Sequence, residues 1–546
     1  LIGKLKEKVA RMLVGSPQKW QQSRVQARAA ELAQRKAAMQ LPAYMAASSG
    51  GFQGGKLDRI TEEWNPGTIG PNRAFQMDGK RLRERARDLV LNNPKARAAV
   101  DAYVANVLEC GITPKPRFDD EERRKLWTSH WDRWGGMSAH ATREADVTGK
   151  QTLYELNALW LREIIIGGGC LAHYVERPLR GRTLPTAIEL IPEERFAEEV
   201  QWSGPNTKTA NPVINGVEIE ESTGRDVAYW VWSVQPNDLQ FAFEREPLRL
   251  PAEECEYSYF RTQIGQYRGY SMFHAAIVWL WALGYYTDNE LKNSDVKSSW
   301  AYMILTDLDA SGGDWADLMD SSPESGTVDY YGNTVEKLEP QSIWRGQPGD
   351  KIQAVGPNVP GSDSLPWIEL IDRSIAIGMN LSYEELCRDY SKGSFSSVRA
   401  SANADRKRYR PMQKFNVNHF SNPTYRRFGA AAARVGLEGF PRPAEYMADL
   451  DHWLAVDWRP PGWESVNPKD DAAAEDLKLK NGTTTRSIVI GKTGGDWEEV
   501  DEQRQREMES EERRGLPSST AAAVPAATDP ELNEDQAAAV RTALGE

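Results

Sequence analysis

Gly491-Lys492-Thr493 has the ending of a nucleotide-binding loop, in which backbone amides cradle phosphates and the lysine reaches the outer ones. The full motif needs a glycine with four residues between it and the Gly-Lys pair, but position 486 is arginine and no apolar strand leads in. No ATP site is expected there. The six histidines (His130, His140, His173, His274, His419 and His452) include no HExxH and no short metal-ligand spacing. Cys110, Cys170, Cys255 and Cys387 form no CxxC and read as buried thiols of a reducing compartment. No GxSxG elbow appears. Gly167-Gly168-Gly169 follows a helical stretch rather than a strand, so it reads as a helix terminator and not a phosphate cradle. Carboxylate clusters, Asp119-Asp120-Glu121-Glu122 and Asp470-Asp471, sit at helix starts, where they complement the helix dipole. No catalytic residue, metal ligand or cofactor is expected from these patterns.

What remains is one stretch with concentrated polar and cationic side chains, residues 381–410, LSYEELCRDYSKGSFSSVRASANADRKRYR. Up to Gly393 it is polar, short-ranged and turn-forming. From Ser394 the pattern becomes helical, and Ser394 or Ser396 can cap the first turn. Ala400, Ser401, Ala402 and Ala404 are small enough for close helix approach, and the cations Arg406, Lys407, Arg408 and Arg410 follow. Ahead of it, residues 365–379 form a helix with a broad apolar face of Trp367, Ile368, Leu370, Ile371, Ile375 and Ile377. The local unit is therefore helix, compact polar element, helix. By composition alone it is an α-hairpin in a helical domain.

The rest of the chain must position that unit. Its 546 residues make room for about three to four domain-sized pieces with ample core. The net charge is −12 and the pI about 5.3. Tight binding to duplex DNA comes mostly from phosphate neutralisation by a basic face. The acidic balance therefore argues against a tight DNA binder, though not against a wall that DNA slides past. Nineteen tryptophans suggest wide apolar contacts or interfaces.

Residues 1–40 form a basic helical arm, suited to nucleic acid, an acidic neighbour or plain solvation. The chain start lacks the apolar block of a signal peptide. The longest apolar run, 272–286, contains His274 and falls short of the ~20 residues a bilayer span needs, so no membrane contact is expected. Residues 46–80 read as extended loop, and 81–108 as a helical region broken at Asn92-Asn93-Pro94. Helix 121–134 carries Trp127, Trp131 and Trp134 at the spacing of one buried face. Helix 153–166 precedes β-like pieces at 172–175, 187–191, 213–218, 227–232 and 256–260. Helix 271–293 is long and apolar. Residues 309–360 are loop-rich, with a β-like piece near Tyr330. Pro411 and Pro423 should interrupt or kink the helix after Ser394. A loop at 439–462 contains the strand-like LAVDW. Asn467 can cap a helix opened by Pro468 and ended at Asn481-Gly482. Helices follow at 484–491 and 496–514, and from 516 the chain reads as disordered.

LSYEELCRDYS followed by SFSSVRASAN closely resembles the signature of the lambda-like family of tailed-phage portal proteins, with Phe395 where tyrosine is common. RARDLVLNNPKARAAVDAYVANVLECGI, IELIPEERF, GVEIEESTGRDVAYWVW, FRTQIGQYRGYSMFHAAI and DWRPPGWESVNPKDDAAAEDLKLKNG resemble further strings of that family, in order, over roughly residues 80–510. Departures are Ile264 where proline is common, Asn467 in the usual aspartate place, Glu109 and Cys110 before Gly111, and no histidine near Tyr257.

The resemblance implies an α+β portal fold with an α/β wing, helical stem, clip and helical crown. It implies a ring, usually of twelve subunits, at one capsid vertex of the virion, assembled in the host cytoplasm. Double-stranded DNA would enter and leave through the ring axis. The implied map is an arm and loop over 1–59, wing 60–360, stem and clip 361–436, channel loop 437–466, crown 467–515 and a disordered tail 516–546. The implied partners are further copies of the chain, the terminase large subunit, the head–tail connector, capsid and scaffold proteins, and passing DNA. No enzymatic activity and no cofactor are implied. Arg406, Lys407, Arg408 and Arg410 become candidates for the channel wall or a neighbouring stem. Tyr383, Glu384, Glu385, Asp389 and Tyr390 become candidates for the clip contact. The rival readings are a metal-dependent nuclease, which would show chelator-sensitive activity, and a nonspecific DNA-binding structural protein, whose affinity would fall steeply with salt.

Overall fold

The computed structural model describes residues 67–137, 142–178, 181–199, 211–236, 246–298, 302–305, 327–328, 334–335, 351–354, 364–463, 467–492 and 495–515. The chain forms two compact units, Leu1–Ile69 and Gly70–Glu546, and the elements below belong to the second. Residues 1–66, including the basic arm, and the tail from 516 lie outside the described residues.

Helix α1 (Pro71–Asn92) and helix α2 (Pro94–Val107) meet at Asn93. The Asn93 side chain accepts from the Lys95 and Ala96 amides at 3.0 and 3.2 Å, and Pro94 occupies the first turn, where a missing N–H is harmless. The expected break is therefore present. The extended loop expected to reach residue 80 is not, because Pro71 opens α1 nine residues earlier. Strand β1 (Thr113–Pro116) leads to α3 (Glu121–Gly135), capped by Asp120, whose carboxylate accepts from the Arg123 amide. Trp127, Trp131 and Trp134 are all buried, against Phe440 (centroids 3.9 Å from Trp127) and Phe428 (5.1 Å from Trp131).

Helix α4 (Leu153–Gly167) starts with a Thr152/Glu155 capping box and stops at Gly168, at φ 103°. A Cβ on Gly168 would lie 2.7 Å from the Tyr270 carbonyl carbon, so the triple glycine both ends the helix and lets the 269–270 backbone pass. The strands are β2 (Gly169–Glu176), β3 (Thr186–Pro192), β4 (Val213–Ile214), β5 (Val217–Ile219), β6 (Asp226–Val231), β7 (Leu248–Pro251) and β8 (Cys255–Tyr259). Antiparallel β3-β2-β8 and β4-β5-β6-β7 form two small sheets. The single strand expected over 213–218 is instead a hairpin. Asn215 and Gly216 take φ of 51° and 83°, the pair of positive values that a two-residue type I′ turn requires.

Helix α5 (Ile277–Ser298) follows, then β9 (Tyr302–Leu305), β10 (Thr327–Val328), β11 (Thr334–Val335) and β12 (Lys351–Ala354), with β9 paired to β12 and β10 to β11. The expected β-like piece at Tyr330 lies outside the described residues. Helices α6 (Ser364–Gly378), α7 (Tyr383–Cys387), α8 (Phe395–Asn416) and α9 (Asn422–Val435) come next.

Neither proline breaks the α8–α9 rod. Pro411 lies within α8 on its exposed side, where water can satisfy the Lys407 carbonyl that loses its helical donor. Pro423 would clash with the carbonyl four residues back, that of His419. The backbone widens there into a π-turn over Val417–Ser421, and the His419 carbonyl accepts from the Ser258 hydroxyl at 3.5 Å. Helices α10 (Pro443–Ala448) and α11 (Leu450–Trp453) lead to β13 (Val456–Arg459), antiparallel to β1. Helices α12 (Pro468–Lys480), α13 (Arg486–Gly491) and α14 (Trp497–Arg514) complete the described chain. Asn467 precedes α12, but its amide donates to Asp470 at 2.5 Å instead of capping the backbone.

One apolar core runs through α2, α3, α4, α6, α8, α9 and α11, from Ala86 to Trp453. A smaller one, with Leu171, Phe196, Val217, Tyr229 and Tyr257, lies between the two sheets. Among the described residues no helix is long and apolar enough to cross a membrane.

Candidate functional site

The polar element at 381–393 is tied to the core from below. The Tyr103 hydroxyl donates to the Met379 carbonyl at 2.6 Å. Ser382 caps α7 by accepting from the Glu385 amide and donates to Asp405 Oδ2 at 2.5 Å. Buried Asp405 also receives Arg408 Nη1 at 3.1 Å, and the same nitrogen reaches the Asn380 carbonyl at 3.0 Å. Asp405 thus bolts α8 to the start of α7.

The five candidate contact residues separate by environment. Glu384 turns inward and accepts from the Ser401 hydroxyl at 3.0 Å. Glu385 accepts from Asn106 Nδ2 at 3.0 Å, and burial pushes its carboxyl above the usual range. Tyr383 lies 3.4 Å from Asp389 through its hydroxyl, with the Arg373 guanidinium 5.6 Å over its ring, and burial pushes it up to about 12. Asp389 accepts from the Ser391 hydroxyl and amide at 2.6 and 3.0 Å, which hold it below the usual carboxylate range. Arg388 adopts φ 53° to make that turn, and Lys392 pairs with Glu369. Tyr390, half exposed, is the most open of the five.

Helix α8 has one buried and one open face because its apolar positions follow the helical period. Asp405, Tyr409, Met412, Gln413 and Asn416 point inward. Lys407, Arg410 and Lys414 are exposed at i, i+3 and i+7. The four expected cations are therefore not equivalent. Arg408 is held by its own chain. Arg406 and Arg410 each stand 6.0 Å over the Trp463 ring, and burial, opposed by Asp471, lowers the Arg406 pKa. Lys407 is open to solvent. Lys414, absent from the expected set, completes the stripe, and its i+4 spacing from Arg410 was the available signal. Arg399 Nη2 meets Asp471 at 2.7 Å and ties α8 to α12.

Sequence patterns also conceal a second constellation, which is structural. Arg268 is fully buried and pairs with fully buried Glu193. It donates to the Asn215 carbonyl at 2.6 Å and lies 3.9 Å over Phe196. Burial opposes its charge, yet Glu193 outweighs it and keeps the guanidinium above the ordinary arginine pKa. The Tyr257 hydroxyl donates to Glu193 at 2.5 Å, and burial pushes that hydroxyl's pKa well up. Gln266 accepts from the Thr262 amide at 2.9 Å and donates to the Arg268 carbonyl at 2.6 Å. A Cβ on Gly269 would fall 2.0 Å from the Gly168 oxygen. The arrangement can orient backbone; it presents no nucleophile to solvent. Among the described residues no group of three His, Cys, Asp or Glu side chains could hold a metal ion.

A family model described as phage portal protein, lambda family, matches residues 57–413. The chain is 23% identical to a protein named "Probable portal protein" of Halomonas phage phiHAP-1, over 86% of this chain and 88% of that one. It is also 23% identical to Portal protein B of Escherichia phage lambda, over 85% of this chain and 89% of that one. Among solved structures, a chain from the neck of a native gene transfer agent particle aligns over 74% of this chain and 91% of its own. That alignment has a TM-score of 0.36 and 14% identity.

Proposed function

The chain belongs to the lambda family of phage portal proteins, and from that premise we propose that its copies close into a ring, of about twelve, at one vertex of the capsid. Portal proteins are structural parts of phage particles, and this chain is one of them. The observation that carries the reading is the unbroken family match across residues 57–413, which takes in both α8 and the polar element before it.

In this reading double-stranded DNA passes through the ring during packaging and ejection. Duplex DNA carries about one negative charge per 1.7 Å of axis. A conduit must not hold its cargo. A chain of net charge −12 repels DNA, and a sparse cation stripe damps that repulsion without trapping. Lys407, Arg410 and Lys414 fit that task better than Arg408, which is committed to Asp405. The wing (60–360), stem and clip (361–436), channel loop (437–466) and crown (467–515) remain the proposed division. Tyr390 and Tyr383 are the proposed contact with the terminase large subunit and, later, the head–tail connector.

Native mass of the purified full chain tests the reading. Rings of about twelve are expected. A stable monomer with chelator-sensitive nuclease activity would overturn it. Within rings, the triple variant Lys407→Gln, Arg410→Gln, Lys414→Gln should assemble normally and package DNA poorly. Normal packaging would remove the stripe from the channel.

A further inference from the structure

The two helices that flank residues 299–363 leave much apolar surface uncovered. On α5, Val278, Trp281 and Tyr285 recur at i, i+3 and i+7; on α6, Trp367, Leu370 and Ile377 face outward. All six are between 52% and 77% exposed. Trp281 and Tyr285 stack with centroids 5.7 Å apart. These are not frayed ends. Leu280 and Leu283 of α5, and Ile371 and Ile375 of α6, are buried in the main core, so both stripes are held on anchored helices. At about 200 Å² for a whole large side chain, the six leave on the order of 700 Å² of apolar surface in water. The largest apolar patch on a typical monomer is about 300–600 Å². One side of a standard protein interface is about 800 Å².

We propose that these two stripes are the faces through which one copy of the chain meets the next. The proposal rests on the ring reading above. A cyclic ring is closed by head-to-tail contacts, which join two different patches on each subunit rather than one self-complementary patch. Two neighbouring helices, each with its own stripe, supply two such patches. Their content, tryptophan and tyrosine among aliphatic residues, is the composition of interface centres. Lys407, Arg410 and Lys414 lie on a different helix, which leaves them free of this contact.

Three variants of the full chain test it by native mass across a dilution series: Trp281→Glu, Ile377→Glu and, as a control elsewhere, Leu91→Glu. Leu91 is an exposed apolar residue of α1. Wild type and Leu91→Glu should form rings of equal strength. Trp281→Glu and Ile377→Glu should need at least about thirtyfold more protein to form them, the scale of one interface hot spot. Rings of unchanged strength in both variants overturn this face and leave the ring reading standing. A wild-type chain that stays monomeric overturns both. A photoreactive side chain at position 281, in mixed light- and heavy-isotope chains, gives a second measure that does not depend on destabilising anything. Heavy–light crosslinks support the contact. Crosslinks confined within single chains mean that the chain covers its own stripe, and overturn it.

Discussion

Removing the Asp496 carboxylate should undock helix α14 while the core stays folded. Among the described residues no side chain of α14 is fully buried, so the helix is held mainly by charge. Asp496, just before it, is 7% exposed. Its carboxylate receives Lys115 Nζ at 2.8 Å and Arg459 Nη2, and also caps the Glu498 amide at 3.1 Å. Around it lie weaker pairs: Lys115–Glu498 at 2.9 Å, Lys125–Glu502 at 3.4 Å and Arg124–Glu498 at 3.8 Å. Exposed pairs of that kind are worth about 0–1 kcal/mol each.

Breaking a buried pair from one side costs about 3–5 kcal/mol, because the remaining charge is stranded. Here two charges would be stranded, but each is about a fifth exposed and has a fallback in Glu498 or Glu499. That discounts the loss to about 2 kcal/mol, to which the lost cap adds about 1 kcal/mol in Asp496→Ala. Asp496→Asn keeps the cap and should lose about 2 kcal/mol. At 1.4 kcal/mol per decade, these are about 100-fold and 30-fold increases in local opening.

Amide hydrogen exchange over residues 498–505 reads this directly, with α4 as the internal reference. The same lock should respond to pH. Burial raises the Asp496 pKa, but the bonds from Lys115 and Arg459 more than reverse this and leave it below the ordinary value. The lock is therefore complete above the unfolded aspartate pKa of about 4 and is lost as pH falls through the folded value. Unchanged exchange in Asp496→Ala, or equal acceleration in α4, would refute the ionic account of α14.

Two further outcomes are expected in the core. Arg268→Met alone should destabilise the fold by about 3–5 kcal/mol by stranding Glu193, and Arg268→Met with Glu193→Leu should recover a large part of that loss; denaturant midpoints of the four-member cycle measure it. Gly269→Ala should cost at least about 1–3 kcal/mol, since its Cβ would collide with the Gly168 backbone, whereas alanine at Gly67, with nothing within 4 Å, should leave the thermal midpoint unchanged.

Local signals were legible in the sequence because they act over a few residues. The Trp127–Trp131–Trp134 face, the Asn93 cap, the Ser394 cap and the glycine stop after α4 all lie where short-range spacing placed them. The Asn-Gly turn at 215–216 was equally local, and its strong alternation of apolar neighbours hid it inside one apparent strand. The prolines were misjudged because their cost depends on surroundings: an exposed carbonyl at Lys407, a Ser258 donor waiting at His419. The Arg268–Glu193 pair joins positions 75 residues apart, and no period links them. Which of four neighbouring cations faces solvent was likewise decided by what packs beneath α8, not by the run itself.

The strings through which the chain resembles its family serve the fold more than the cargo. IELIPEERF and FRTQIGQYRGYSMF hold Glu193, Arg268, the Gln266 turn and the Gly269 crossing. LSYEEL holds the Ser382 cap and the inward-facing Glu384 and Glu385. These residues sit where backbone meets backbone or where a buried charge must be answered, and few alternatives satisfy such places. The surfaces proposed to meet DNA and the next copy lie just beyond those strings. Lys407 follows SFSSVRASAN, and Trp281 follows SMFHAAI. A surface that touches a smooth polyanion needs charge at a spacing, not particular neighbours. A surface that touches its own copy can change whenever both halves change together. Similarity can therefore identify the family while leaving its working surfaces unread. Those surfaces have to be found from exposure and charge on the folded chain, as Lys414 and the α5–α6 stripes were.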